Sequence, residues 1–205
     1  MTRIYTVLAA AGIAGLLGGT AGYVWFFGSG DDAFAQCRGN QVAGGTIGGP
    51  FTLVDTTGNT VTDKDVLTRP SLVYFGYTFC PDVCPLDAQR NAEAVDILAS
   101  EGLEVTPVFI TIDPQRDTPA VLAEFTAAVH PKMIGLTGSA DQIKAASAAY
   151  RTYFKQQPAE DEFYLMDHST FTYLMMPKVG FAEFFDRDIS ADLMAEKVAC
   201  FVAAS

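Results

Sequence analysis

The chain carries the sequence LVYFGYTFCPDVCP at residues 72–85, where an apolar run leads directly into a pair of cysteines. The run at 72–77 predicts a buried central strand, because it is continuous and apolar. Cys80 and Cys84 follow at the predicted start of a helix, and residues four apart share one helix face with Cβ atoms roughly 5–6 Å apart. Two thiols at that separation can close a disulfide or bind one soft metal ion.

The position of the two thiols also predicts their chemical state. Free amide groups and the positive end of the helix dipole favour the thiolate, which is the form that attacks disulfides and binds metals. A static disulfide and a pair of buried thiols are the alternatives. Pro81 and Pro85 stiffen the turn and its flanks are polar, so we expect an exposed, reactive pair.

Strands and helices alternate along the rest of the chain. Apolar periodicity and turn residues predict strands at 51–54, 60–62, 71–77, 105–112, 133–136, 171–175 and 180–185. Helical spacing predicts helices at 85–100, 118–129, 139–150 and 190–202, with Ser139 as an N-cap. This order predicts an α/β fold, a thioredoxin-like mixed sheet flanked by helices, with the thiol pair at the tip of the first central strand.

The N-terminus predicts a membrane anchor. Residues 4–27 carry no charge, and as a helix they would extend about 36 Å, enough to cross a hydrocarbon core of roughly 30 Å. Arg3 precedes this run and two aspartates follow it, so the positive-inside rule places the N-terminus in the cytoplasm. We therefore expect three parts: a membrane anchor at 1–30, a linker at 31–46 and a globular domain at 47–205.

A cleaved signal peptide is the alternative, because Ala33-Phe34-Ala35 resembles a cleavage site. Either arrangement exports the globular domain. In a bacterium, the retained anchor would make this a single-pass protein of the cytoplasmic (inner) membrane with its globular domain in the periplasm. With 13 basic and 24 acidic side chains and a net charge of −11, the chain is poorly suited to bind nucleic acid.

All four cysteines lie beyond the predicted anchor, in a compartment where disulfides form and persist. Once Cys80 and Cys84 are set aside, Cys37 precedes the first strand and Cys200 lies in the closing helix. We expect these two cysteines to form a structural disulfide. The alternative is two unpaired thiols, with Cys200 packed among apolar neighbours of its helix.

The chain has two histidines. His130 precedes a proline in a polar turn, so we expect a surface side chain there. His168 lies in the sequence DHST at 167–170, where a histidine alone would be a cap or a core residue. Beside two thiols, however, its imidazole completes a three-coordinate set of ligands suited to copper, and Asp167 or a backbone carbonyl would fix the ring tautomer.

A further motif, DPQRDTP at residues 113–119, follows the second buried strand. It predicts a rigid loop in which Asp117 or Thr118 caps the next helix. It equally predicts a wall of the thiol site, because neighbouring strands of such a sheet end on the same side. The sequence leaves both interpretations open.

Four stretches resemble the signature motifs of the Sco/SenC family of copper chaperones: YFGYTFCPDVCP at 74–85, IDPQRDTP at 112–119, GLTG at 135–138 and DHS at 167–169. The similarity extends over about residues 47–178. The resemblance implies a thioredoxin-like domain on a membrane anchor that helps to deliver copper to the dinuclear site of cytochrome c oxidase. It also implies that Cys80, Cys84 and His168 are the copper ligands. The aspartate that the family places near the site corresponds to Asp113.

The chain departs from the family pattern at three places. Phe79 stands before the first cysteine, where the family often has histidine. Residues 175–178 read MMPK in place of an acidic, glycine-containing turn. Cys37 and Cys200 are not part of the family pattern. None of these departures affects the three expected ligands, but they leave partner preference open.

Two functions fit these residues. The first is a copper metallochaperone, which would carry a copper ion to the copper-site subunit of cytochrome c oxidase and exchange it with other periplasmic copper carriers. The second is a thiol–disulfide oxidoreductase that keeps the recipient's copper-ligand cysteines reduced, with Cys80 and Cys84 as its redox-active pair. His168 distinguishes them, because copper binding needs it and dithiol exchange does not. The resemblance favours the chaperone, which is not a classical enzyme; enzyme activity stays open.

Overall fold

The computed structural model describes residues 18–20, 22, 34–38, 47–159 and 163–205. The chain divides into two compact units, Met1–Ala35 and Gln36–Ser205, and the strands of the described residues belong to the second unit. Its strands are β1 (Thr52–Asp55), β2 (Thr60–Thr62), β3 (Ser71–Gly76), β4 (Thr106–Thr111), β5 (Ile134–Thr137), β6 (Phe154–Gln156), β7 (Met166–His168), β8 (Thr172–Met176) and β9 (Gly180–Phe185). Its helices are α1 (Asp63–Val66), α2 (Val83–Ser100), α3 (Pro119–Val129), α4 (Ala140–Ala149) and α5 (Ala191–Ala203).

Seven strands form one mixed sheet in the order β2-β1-β5-β4-β3-β8-β9. At its centre β3 and β5 each run parallel to β4, and the remaining neighbours pair antiparallel. All six residues of β3 are buried. The predicted central strand and the predicted mixed sheet are both confirmed.

The helices lie on both faces of this sheet. Neighbouring residues of a strand point to opposite faces. In β3, the Tyr74 hydroxyl donates to Asp87 of α2 at 3.0 Å, whereas the Phe75 ring packs on Tyr150 at the end of α4, with ring centroids 5.2 Å apart. Because α2 also contacts α3 and α5, these three helices cover one face and α4 covers the other.

Side chains at the helix starts explain where the helices begin. Ser139 Oγ accepts a hydrogen bond from the amide of Gln142 at 3.2 Å, and Gln142 Oε1 accepts one from the Ser139 amide at 2.8 Å. Thr118 and Ser190 accept from the third residue of their helices in the same way. These contacts satisfy amides that have no partner within the helix, and they confirm Ser139 and Thr118 as caps.

A small two-stranded ladder lies outside the main sheet, and the sequence patterns do not predict it. Strands β6 and β7 pair antiparallel, with Phe154 opposite His168. Each strand has three residues, and most of them are polar, so no alternation of apolar and polar residues marks them. The ladder nevertheless carries His168, one of the three expected ligands.

His130 is buried, with only 7% of its surface exposed, so the predicted surface position is wrong. It ends α3, where its Nδ1 accepts a hydrogen bond from the amide of Lys132 at 3.1 Å. Its Nε2 lies 3.2 Å from Asp96 Oδ1 of α2. The neighbouring residues predict a solvated turn, whereas burial here follows from the packing of α3 beside α2.

The predicted membrane anchor at 4–27 lies outside the described residues except for 18–20 and 22, which are helical. Among the residues that the structure describes, none of the helices has both the length and the apolar character to cross a bilayer. The anchor, the linker and their boundaries therefore stay predictions.

The cysteines outside the central motif form the expected disulfide. Cys37 and Cys200 are bonded, with Cα atoms 5.6 Å apart and a sequence separation of 163. The bond joins the chain that precedes β1 to α5, so it links the two ends of the globular unit. Cys80 and Cys84 are free thiols.

Removing this disulfide should destabilise the globular unit. A bridge that closes so long a loop restricts the unfolded chain, and the chain-entropy model assigns it up to about 5 kcal/mol. We expect the double variant Cys37→Ala/Cys200→Ala to lower the free energy of unfolding by about 2–5 kcal/mol, measured by urea unfolding. Peptide mapping of unreduced wild type, with free thiols alkylated first, checks the pairing itself. Alkylated Cys37 and Cys200, or a link from either to the central motif, would contradict it.

Candidate metal centre

The loop between β3 and α2 positions both cysteines. The amide of Cys80 donates to the carbonyl of Tyr77 at 3.3 Å, which turns the chain back over the end of β3. Cys84 lies in the first turn of α2, where its amide donates to Cys80 Sγ at 3.3 Å. The helix start thus supplies a hydrogen-bond donor to the first sulfur, as its position predicts.

Gly76 at the end of β3 makes room for the second sulfur. A Cβ at this position would lie 3.1 Å from Cys84 Sγ and 2.8 Å from the Tyr74 ring. A larger residue would therefore force the ring or the first turn of α2 to shift. With glycine in place, Cys84 packs fully buried against the strand.

His168 approaches the cysteines from β7. Its Nε2 lies 3.3 Å from Cys84 Sγ, and its Nδ1 lies 2.8 Å from the carbonyl oxygen of Ser169. A carbonyl only accepts, so Nδ1 carries a proton, and Nε2 is the ring nitrogen that faces the sulfurs. A backbone carbonyl therefore fixes the tautomer, whereas Asp167 accepts from Gln157 Nε2 at 2.6 Å.

Two tyrosines pack edge-on against the imidazole ring. The ring centroid of His168 lies 6.4 Å from that of Tyr74 and 5.8 Å from that of Tyr77, at interplanar angles of 82° and 87°. The Tyr77 hydroxyl also accepts from the Met166 amide at 3.3 Å. Both tyrosines belong to the stretch 72–85, so the segment that carries two expected ligands also supports the third.

The three expected ligands come together in space. One ligand atom each from Cys80, Cys84 and His168 lies within 4.8 Å of the other two. Two sulfurs and one imidazole nitrogen form a soft donor set, which suits copper and is poorly matched to hard cations such as Mg²⁺. The chemistry of the donor set therefore fits copper.

The thiols are less accessible than their position in the loop predicts. They are free and not a static disulfide, but Cys80 is 8% exposed and Cys84 is 0% exposed, so the expectation of an exposed pair is wrong. Two contacts between segments distant in sequence explain the difference. The helix α2 packs on β3, and β7 brings His168 against Cys84.

The two thiols have different pKa values. The hydrogen bond from the Cys84 thiol lowers the pKa of Cys80, and burial opposes this effect. Hydrogen bonds from His168 and from the amides of Asp82 and Cys84 lower the pKa of Cys80 further. The same hydrogen bond, together with burial, raises the pKa of Cys84. Cys80 is therefore the thiolate of the reduced pair, and Cys84 is the thiol.

The motif at 113–119 borders the site in addition to capping α3. Asp117 is fully buried and accepts three hydrogen bonds. The amide and the hydroxyl of Thr78 donate to it at 3.0 and 2.6 Å, and the Thr111 hydroxyl donates at 2.6 Å. Because Thr78 lies two residues before Cys80, this carboxylate ties the motif to the cysteine loop. The motif is therefore both a loop that caps the next helix and a wall of the thiol site, as the two interpretations of its sequence predict.

A buried polar network behind the cysteines is not visible in the sequence patterns. The Tyr74 hydroxyl donates to Asp87 Oδ2 at 3.0 Å, and Arg90 Nη1 lies 3.5 Å from Asp87 Oδ1. Arg90 Nη2 also donates to Thr172 Oγ1 of β8 at 3.0 Å. Burial raises the pKa of Asp87, and the charge of Arg90 opposes this rise. In sequence these two charges suggest a solvated helix face, and only packing against the sheet reveals the network.

The fold and the site together define a class of protein, a thioredoxin-like domain in which a histidine from a distant strand joins two cysteines at a helix start. The sequence profile of the SCO1/SenC family matches residues 40–203. The chain therefore belongs to the SCO1/SenC family, and the resemblance found in its motifs is confirmed.

The chain is similar in sequence to bacterial and plant proteins, and in sequence and fold to a yeast protein. Protein SenC of Rhodobacter capsulatus is 59% identical over 174 residues, which cover 84% of this chain and 79% of SenC. The mitochondrial SCO1 homolog 1 of Arabidopsis thaliana is 39% identical over 168 residues, or 82% of this chain, but this chain spans only 50% of its length. The crystal structure of yeast Sco1 with copper bound matches with a TM-score of 0.74 at 39% identity, covering 78% of this chain and 91% of that one.

The pH dependence of Cys80 alkylation should depend on the hydrogen bond that Cys80 accepts from the Cys84 thiol. In the reduced wild type, the rate of alkylation of Cys80 by iodoacetamide should stay nearly flat from about pH 6 to 8, because the thiolate is already formed. In Cys84→Ala the donor is lost, so the pKa of Cys80 should rise and the rate should increase with pH. Cys84→Ser keeps a hydroxyl donor and is the matched control. Mass spectrometry measures the rates, and identical pH profiles for Cys84→Ala and wild type would refute the assignment.

Proposed function

We propose that this protein binds copper as cargo through Cys80, Cys84 and His168, and that it helps to assemble the dinuclear copper site of cytochrome c oxidase. The observation that carries the proposal is the convergence of these three ligand atoms within 4.8 Å. Membership of the SCO1/SenC family supports it, as does the related yeast Sco1, whose structure has copper bound.

The chemistry of the three side chains suits an ion that must be passed on. Soft sulfur ligands favour Cu(I), and an ion with three ligands stays open to a fourth from the recipient, so that copper can move by ligand exchange. Cys80 is already a thiolate, whereas Cys84 must lose its proton before it can bind. Copper binding therefore releases a proton, and raising the pH should strengthen it.

The same sulfur pair supports a second function, that of a thiol–disulfide oxidoreductase. The Cys80 thiolate would attack a disulfide of the recipient and form a mixed disulfide, releasing one recipient thiolate. Cys84 would then lose its proton and attack the Cys80 sulfur, releasing the second thiolate and leaving Cys80 and Cys84 joined. The observation that favours this function is a pair of free thiols in which the Cys84 amide donates to Cys80 Sγ and Cys84 is buried. Oxidation consumes the ligands that copper needs, so one molecule cannot do both at once.

We further propose that the globular domain works outside the cytoplasmic membrane of a bacterium. The uncharged run at 4–27 would hold the chain in the membrane. The linker at 31–46 would connect it to the domain at 47–205, to which the disulfide at Cys37 already ties it. The disulfide between Cys37 and Cys200 is consistent with an oxidising compartment. The proposed partners are the copper-site subunit of cytochrome c oxidase and other periplasmic copper carriers.

Copper binding tests the proposed function directly. The reduced full chain, purified in detergent, should bind about one equivalent of Cu(I) in competition with a chelator. Cys80→Ser and Cys84→Ser should abolish binding, because each removes a soft ligand. His168→Ala should weaken binding by more than about tenfold, which corresponds to the loss of at least about 1.4 kcal/mol.

Two further measurements sharpen this test. The protein with Cys80 and Cys84 oxidised to a disulfide should bind little copper until a reductant is added. His168→Ala should keep its rate of disulfide exchange, which separates the chaperone from the oxidoreductase. If the fully reduced wild type binds no copper, the chaperone proposal is wrong, and the thiol–disulfide oxidoreductase remains as the proposed function.

Protease accessibility tests the proposed location. In intact bacterial spheroplasts, added protease should digest the globular domain, because the proposed topology exposes it on the outer side of the membrane. A cytoplasmic protein in the same sample is the control for intactness. Complete protection of the domain would overturn the topology, whereas release of a soluble form beginning at Gln36 would identify the N-terminal run as a cleaved signal.

A further inference from the structure

We propose that Tyr164 is a positioning residue for the copper site. Held by Asp113 and Arg116, it fixes β7 in the place where His168 Nε2 faces the cysteine sulfurs. The inference rests on the proposed function, because the ligand set that it concerns is the one proposed to bind copper. Tyr164 itself is not a ligand in this arrangement.

Strand β7 needs such a support. Within the described residues it pairs with β6 and not with the seven-stranded sheet. At the start of β7 the Met166 amide donates to the Tyr77 hydroxyl at 3.3 Å, and just beyond its end the Ser169 amide donates to the Tyr153 carbonyl at 2.9 Å. An isolated two-stranded ladder is marginally stable, so the placement of β7 depends on side chains that fasten it to the rest of the domain.

Tyr164, two residues before β7, is held on three sides. The guanidinium carbon of Arg116 lies 3.5 Å from its ring centroid, and Arg116 Nη1 donates to its carbonyl at 3.0 Å. Its hydroxyl donates to Asp113 Oδ1 at 2.7 Å. Tyr164 is 8% exposed, whereas its neighbours Phe163 and Leu165 are 79% and 44% exposed. Tyr164 is therefore one point at which this stretch of chain is fastened to the domain.

The partners of Tyr164 belong to a rigid part of the fold. Asp113 follows β4 and is buried, and its amide donates to the Thr111 hydroxyl at 2.9 Å. Arg116 Nε donates to Asp113 Oδ2 at 2.5 Å. Hydrogen bonds between charged groups are short and strongly directional, so this pair presents a fixed surface to the tyrosine.

Arg116 also connects Tyr164 to the cysteine loop. Its guanidinium carbon lies 4.8 Å from the ring centroid of Phe79, the residue before Cys80, and 5.8 Å from that of Tyr77. One cation therefore stacks on aromatic rings of both segments that carry ligands. The departure from the family pattern at Phe79 has a physical role here, because an aromatic ring at this position gives Arg116 a second surface.

Copper affinity tests the proposal in two backgrounds. Cu(I) would be titrated against a competing chelator into the reduced full chain in detergent, as wild type, Tyr164→Leu, His168→Ala and the double variant. Residues that orient a metal ligand typically contribute 10- to 100-fold to affinity, so Tyr164→Leu should weaken binding by about tenfold or more. In the His168→Ala background the same change should alter affinity by less than about twofold, because the ligand that Tyr164 positions is already absent.

Two variants control this measurement. Tyr153→Leu makes the same substitution at a tyrosine that is half-exposed and lies beside the same ladder, and it should bind copper like the wild type. Tyr164→Phe keeps the ring on Arg116 and loses only the hydrogen bond to Asp113. Tyr164→Phe should lose less copper affinity, and only in the chain that retains His168. It therefore replaces Tyr164→Leu in the test if Tyr164→Leu does not fold.

A metal-free measurement separates this proposal from the proposed function. Imidazole ¹⁵N NMR of the reduced apoprotein should show the His168 resonances displaced in Tyr164→Leu. His130 is the internal reference, because it lies at the end of α3 beside Asp96 and its resonances should not move. If the wild type binds no Cu(I), the proposed function is wrong, and these spectra alone decide whether Tyr164 positions His168.

Two results would overturn the proposal. The first is wild-type copper affinity in Tyr164→Leu together with unchanged His168 resonances. The second is an equal loss of copper affinity on Tyr164→Leu in the wild type and in the His168→Ala background. That result would indicate a general loss of structure and not the positioning of His168.

Discussion

The structure depends on one packing constraint, the burial of the Cys84 sulfur where α2 meets the end of β3. A Cβ at Gly76 would lie 3.1 Å from this sulfur, so the helix reaches its position because the strand ends in glycine. The close approach brings the Cys84 amide to Cys80 Sγ. It leaves one side of the sulfur pair to be closed by His168 from β7. The positions of the two sulfurs therefore follow from the way one helix packs on one strand, and β7 brings His168 to them.

The buried carboxyl groups of Asp87 and Asp117 are hydrogen-bonded, and these contacts hold the cysteine-bearing segments in place. Asp117 binds Thr78 of the cysteine loop, and Asp87 of α2 binds Tyr74 of β3. Leaving such a buried carboxyl group without a partner would cost about 1–3 kcal/mol, so each contact favours the observed arrangement of its two segments. The loop that carries Cys80 and the helix that carries Cys84 are consequently held in place by contacts within the protein.

The four cysteines divide into two pairs with different physical tasks. Cys37 and Cys200 are joined across the ends of the domain, which leaves Cys80 and Cys84 as the pair for chemistry. Metal binding needs two thiolates, so Cys84 must first lose its proton, whereas disulfide exchange needs one thiolate and one resolving thiol, which the unequal pKa values supply. His168 adds the nitrogen that only the first of these functions uses.

Local periodicity in the sequence was sufficient to predict the long elements, because a continuous apolar run such as 72–77 or a helical repeat reflects which face of each element is buried. The spacing of Cys80 and Cys84 likewise predicted a thiol pair near the start of α2, although the helix begins at Val83 and Cys80 lies in the loop before it. The sequence did not reveal that the thiols are buried, that His130 is enclosed or that β6 and β7 pair, since each of these depends on contacts between distant segments. The tertiary structure alone decided that His168 meets Cys84, because a distance of 3.3 Å between residues 84 positions apart is set by the packing of the whole domain.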